Sequence, residues 1–137
     1  MSDMIKGSCL CGQISFSTPG PLRPVVACHC QQCRKTTGHH VAATSAPRET
    51  INITGSVTWF KSSDTAQRGF CGTCGSQMFW DGQGKNMSIM AGCIDGETGV
   101  TLEGHIFCAD KGDYYDIADG LPQADADDPA LTTQFYD

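Results

Sequence analysis

Seven of the nine cysteines in this 137-residue chain stand in three tight groups, and that spacing constrains the fold more than any other feature. Cys9-Leu10-Cys11 is a C-x-C pair, residues 28–33 form a C-H-C-x2-C group, and residues 71–75 form a C-x2-C followed by glycine. The cysteine count is odd. The opening MSDMIKGSCL carries one lysine and no long apolar segment, so neither a secretory leader nor a disulfide framework is expected. Clustered thiols in a reducing compartment read as metal ligands, and the compartment expected is the cytoplasm.

The C-x-C and C-x2-C pairs have no other partner, so one four-cysteine site made of Cys9, Cys11, Cys71 and Cys74 is the economical reading. The glycine after Cys74 lets the backbone turn tightly enough for N–H groups to face the sulfurs. Joining Cys11 to Cys71 closes a loop of about 60 residues, which costs about 3.6 kcal/mol in chain entropy. A structural zinc contributes about 10–16 kcal/mol. The metal wins, and this site is expected to hold the fold together.

Cys28, Cys30 and Cys33 offer three ligands. If Cys28 ends a strand, alternation turns Cys28 and Cys30 the same way, and Cys33 follows three residues later on one face of a helical turn. The same alternation points His29 away from the sulfurs. His39 and His40, after Gly38, could return as a fourth ligand or simply begin the next strand. Three protein ligands with an open fourth position characterise catalytic zinc, because a Lewis acid must touch the reacting atom. Spacing favours the open site.

Short apolar or alternating runs recur between glycines, prolines and serines: 13–17, 23–27, 40–46, 49–54, 56–60, 67–71, 76–80, 86–92 and 104–108. They predict an all-β domain of short antiparallel strands, with helical turns at 30–37 and 113–119. One zinc-binding domain is expected over 1–122, followed by a loosely held acidic tail over 123–137. The formal charge is −6, and Arg34-Lys35 is the only adjacent basic pair, which argues against nucleic acid. No apolar run approaches bilayer length, so no membrane span is expected.

The strings GSCLCGQISF (7–16), CHCQQCRKTTG (28–38), FCGTCGSQMF (70–79) and GHIF…DGLP (104–122) resemble the glutathione-dependent formaldehyde-activating enzyme family, which includes the centromere protein V domain. The resemblance implies a β-tent fold with two zinc ions, one structural on Cys9, Cys11, Cys71 and Cys74, the other catalytic on Cys28, Cys30 and Cys33. It implies a carbon–sulfur lyase that reversibly joins formaldehyde and glutathione as S-hydroxymethylglutathione. The chain lacks the basic extension of centromere-type members, which weighs against a chromatin role. Cys93 and Cys108 are read as free thiols.

For such chemistry the substrate thiol would fill the open position and lose its proton there. His29 is the candidate proton shuttle and His39 the second choice, because imidazole titrates near neutrality. Arg34 and Lys35 are the candidate receptors for a substrate carboxylate, with His39 beside them. Trp59, Phe60, Phe79 and Trp80 are core or pocket aromatics. The rival readings are a zinc-stabilised module that binds a protein partner without catalysis, and a thiol-rich metal buffer.

Overall fold

In β9 (Asn86–Met90) successive residues face opposite ways: Met87 and Ile89 enter the core, while Ser88 and Met90 line a cavity. That two-residue period organises the molecule. The computed structural model describes residues 4–135. Its strands are β1 (Ile5–Ser8), β2 (Ser15–Thr18), β3 (Val25–Cys28), β4 (Val41–Pro47), β5 (Asn52–Thr54), β6 (Thr58–Lys61), β7 (Gln67–Phe70), β8 (Gln77–Asp81), β9 and β10 (Leu102–Ile106). Two short helices, α1 (Gln31–Thr37) and α2 (Pro129–Thr132), complete it. The architecture is all-β, as expected.

The strands form a three-stranded sheet, β1-β2-β5, and a seven-stranded sheet in the order β10-β3-β4-β9-β8-β7-β6. The pairing is antiparallel except between β10 and β3, which run parallel. The core fills the space between the sheets. Ile14 and Phe16 from one side meet Phe79, Met87 and Ile89 from the other. Phe16 and Phe79 pack edge to face with centroids 5.5 Å apart, the arrangement that ring quadrupoles favour. Where β7 and β8 pair, the register slips so that Met78 is extra, and both Met78 and Phe79 are buried.

Two expectations are corrected, and one strand was not foreseen. The sequence run did not predict β1, which has one large apolar residue; it forms by pairing with β2, and Gly7 gives way to the Phe16 ring, which a Cβ there would meet at 2.2 Å. Residues 113–119 make no helix. Asp113, Asp116 and Asp119 at three-residue spacing would align like charges on one helical face, and Tyr114 and Tyr115 instead hydrogen-bond to histidines. The acidic segment after 122 is docked, not loose. His105 N–H donates to the Pro122 carbonyl and the His105 carbonyl accepts from Ala124 N–H, both at 2.9 Å, and Phe107 N–H donates to the Ala126 carbonyl at 3.0 Å. Leu131 lies against Gly104, where a Cβ would meet it at 2.5 Å. Backbone groups on a sheet edge need partners whatever the side chains are. No helix among the described residues is long and apolar enough to cross a membrane.

Candidate functional site

Cys9 and Cys11 lie in the β1–β2 connection, and Cys71 and Cys74 in the β7–β8 connection, so one loop from each sheet brings two thiols to the same place. All four sulfurs lie within 4.8 Å of one another. Cys9 and Cys11 are 3.6 Å apart, and Cys11 and Cys71 3.7 Å. A tetrahedron with arms of about 2.3 Å has edges of about 3.8 Å, so the donor set fits a tetrahedral thiolate-bound ion. Ile14 N–H donates to Cys9 Sγ at 3.3 Å and Cys74 N–H to Cys71 Sγ at 3.5 Å. The Ser76 hydroxyl, then its N–H, pulls the Cys74 thiol down to about 5. Gly75, at φ 81°, supplies the left-handed turn.

Cys28 ends β3, Cys30 caps α1 and Cys33 sits in its first turn. The cap is real: Cys30 Sγ accepts from Cys33 N–H at 3.3 Å, and Gly38 closes the helix in the left-handed conformation. These three sulfurs also lie within 4.8 Å of one another, and among the described residues no histidine or carboxylate joins them at that distance. Hydrogen bonds with Cys28 and Cys33 hold the Cys30 thiol far below its usual value, while Cys30 and Cys33 push Cys28 up. As a donor set the trio can hold a metal by three sulfurs and leave a fourth direction open.

That direction is a cavity of about 690 Å³, within the usual range for small-molecule sites. The outer face of the seven-stranded sheet is its floor, through Val26, Ala43, Ser45, Ser88 and Trp80. Gln31 and Gln32 of α1 and Asp127 and Thr132 of the docked C-terminal segment stand at its walls. Cys28, Cys30 and Cys33 all line it.

The other sequence candidates fall elsewhere. His29 is 1% exposed and does not line the cavity. One ring nitrogen is bonded to the Tyr115 hydroxyl and the other to His105 Nδ1 at 2.9 Å, and His105 Nε2 meets Asp119 at 2.7 Å. Burial, then neighbouring His40 and His105, lowers the His29 pKa to about 4. All four histidines of the chain gather here, with His39 and His40 ring centroids 4.4 Å apart and His29 and His40 4.7 Å. His39 is exposed and bonded to the Tyr114 hydroxyl at 2.8 Å. Arg34 Nε donates to the Asp110 carbonyl at 3.2 Å and Lys35 is exposed; neither lines the cavity. Of the four aromatics, Phe79 is core, Trp80 lines the cavity, and Trp59 and Phe60 are exposed. Cys93 and Cys108 join neither cluster.

The cations that do line the cavity are Arg23 and Arg68, which the sequence reading missed. Arg23, 8% exposed, donates to the carbonyls of Ala43 at 2.8 Å, Pro24 at 3.3 Å and Thr132 at 3.4 Å. Arg68 is 4% exposed and lies beside Cys33. The signal was weak: Arg23 opens the run 23–27 just before β3, and Arg68 stands within β7.

Comparison with known proteins agrees with this picture. A Schizosaccharomyces pombe protein named as an uncharacterized lyase is 28% identical over 116 residues, covering 82% of this chain and 85% of its own. A crystal structure of a Rhodobacter sphaeroides protein superposes with a TM-score of 0.56 at 21% identity, covering 73% of this chain and 98% of that one, and so shares the fold. The family model described as glutathione-dependent formaldehyde-activating enzyme matches residues 4–110, which include both cysteine clusters. The chain belongs to the glutathione-dependent formaldehyde-activating enzyme family.

Proposed function

We propose that this protein is a zinc-dependent carbon–sulfur lyase that reversibly makes and breaks a thiol–aldehyde adduct, S-hydroxymethylglutathione or a close relative, with two zinc ions per chain. The observation that carries the reading is the cavity wall of Cys28, Cys30 and Cys33, three converging sulfurs with no fourth protein ligand among the described residues. The four-cysteine cluster, tying one sheet to the other, is the structural site. Zinc on Cys28, Cys30 and Cys33 would supply Lewis acidity that lowers the pKa of an incoming thiol.

The chain's own residues do the rest. The sheet floor and the docked C-terminal segment enclose the substrate and limit water, which strengthens electrostatic contacts inside. In the forward direction the substrate sulfur forms a bond to the aldehyde carbon, and the carbonyl π pair becomes the alkoxide. The proton lost by the thiol balances the one taken up by the alkoxide, so the reaction consumes no net acid. We assign His29 to holding the Cys28–Cys30 segment through its bonds to Tyr115 and His105. Such chemistry suits the reducing cytoplasm, where thiolates stay free for metal.

Exchange NMR on a formaldehyde–glutathione mixture tests the reading. Protein carrying two zinc ions should speed interconversion of the free and hydroxymethylated thiol; no acceleration by a fully loaded sample overturns it. A non-catalytic binding module is the second reading, favoured by Phe60, 59% exposed on edge strand β6 beside Trp59. A fully metallated, inactive sample would leave that one standing.

A further inference from the structure

We infer that Arg68 is the counter-charge of the three-cysteine site, a buried guanidinium that lets the incoming thiol bind as its anion. The inference rests on the proposed lyase reading and adds the residue that selects the charge of the ligand. β7 places Arg68 opposite Trp80 of β8 and Phe60 of β6, and directly opposed residues share a sheet face. Trp80 and Arg68 both line the cavity, so this face is the cavity floor.

The surroundings of Arg68 are unusual for a cation. It is 96% buried, taking its 4% exposure, yet forms no ion pair with a carboxylate; the ion pairs found among the described residues are Arg48–Asp81 and His105–Asp119. Its Nη2 donates to Gln32 Oε1 at 3.3 Å and to Cys33 Sγ at 3.7 Å. Its Nε is buried without any partner. A buried cation with no anion is strongly unfavourable, and among the described residues the acidic group within hydrogen-bond reach of Arg68 is the Cys33 thiol. Three thiolates on a divalent ion carry a net charge of about −1, and a fourth thiolate makes it about −2. Against the buried guanidinium, that second negative charge finds a partner. Arg68 is at hand, anchored by Gln32, and its fixed fork leaves Nε as a spare donor.

The test uses protein loaded with Co²⁺ at both sites, whose thiolate charge-transfer and ligand-field bands report what binds at the three-cysteine site. Wild type, R68M and R68K are titrated with 2-mercaptoethanol, which has no carboxylate, and with glutathione. R68M should keep the bands of both sites and weaken both thiols by about 10- to 100-fold, the factor expected for a hydrogen bond to a charged group. R68K should recover part of that loss. Unchanged affinity in R68M overturns the proposal. A loss confined to glutathione also overturns it, by making Arg68 a carboxylate receptor. A wild-type spectrum indifferent to every thiol would instead bring down the lyase reading beneath it. A measurement on wild type alone guards against a misfolded variant: thiocyanate should shift the cobalt bands more strongly than imidazole at equal concentration, and the opposite preference overturns the proposal.

Discussion

Cys11→Ser isolates the structural site, because Cys11 is exposed and its replacement leaves no hole in the core. An exposed substitution with no special role shifts stability by less than about 0.5 kcal/mol. A ligand does far more. Cys11 Sγ lies 3.6 Å from Cys9 Sγ and 3.7 Å from Cys71 Sγ. Two thiolates at that separation repel one another. The cluster therefore reaches its fully ionised form only around a cation. A bound ion would also close the 60-residue interval from Cys11 to Cys71, offsetting about 3.6 kcal/mol of loop entropy. Sharing about 10–16 kcal/mol of zinc binding among four ligands gives about 2.5–4 kcal/mol for each. Unfolding entropy near 2.1 cal/mol/K per residue gives about 0.29 kcal/mol/K for the whole chain, so the melting temperature should fall by about 9–14 °C. The assay is a circular-dichroism melt of zinc-loaded wild type and variant, with metal content measured on the same samples. A variant melting within about 2 °C of wild type would refute the structural role and the reasoning behind it.

Cys33→Ser should lower bound metal from two ions per chain to one, keep a cooperative melt and abolish turnover; activity surviving at one ion would contradict the catalytic assignment. Phe79→Ala, at a site 1% exposed against Phe16, should destabilise by about 3–5 kcal/mol in urea titration; a loss below 1 kcal/mol would mean that the sheets do not meet there. Asp81 accepts from Arg48 at 2.5 Å, which chiefly holds its carboxyl down at about 2. Its folded pKa lies below the unfolded one, so its contribution is complete above about pH 4 and fades as pH drops toward 2. With Arg48 37% exposed, that contribution is about 1 kcal/mol. The stability difference between wild type and Asp81→Asn should shrink across that acid window, and a constant difference would reject the pairing.

The local chemistry of this protein was legible in its residues. Cysteine spacing fixes which sulfurs can converge over a few bonds of backbone, so Cys28, Cys30 and Cys33 formed a trio as alternation and one helical turn required. Short apolar or alternating runs likewise foretold β2–β10, because burial of one sheet face selects such patterning residue by residue. What depends on distant partners was invisible. Nothing near Arg68 in sequence says that β7 will set it beside Cys33, 35 residues away. Nothing near His29 says that His105, Tyr115 and Asp119 will enclose it. The docked C-terminal segment is held by backbone hydrogen bonds that carry no side-chain signature. Sequence alone determined which cysteines stand together in each local group, since geometry within a group is short-ranged. Tertiary structure alone decided which charges face the cavity, since that depends on strand order and register across the whole sheet.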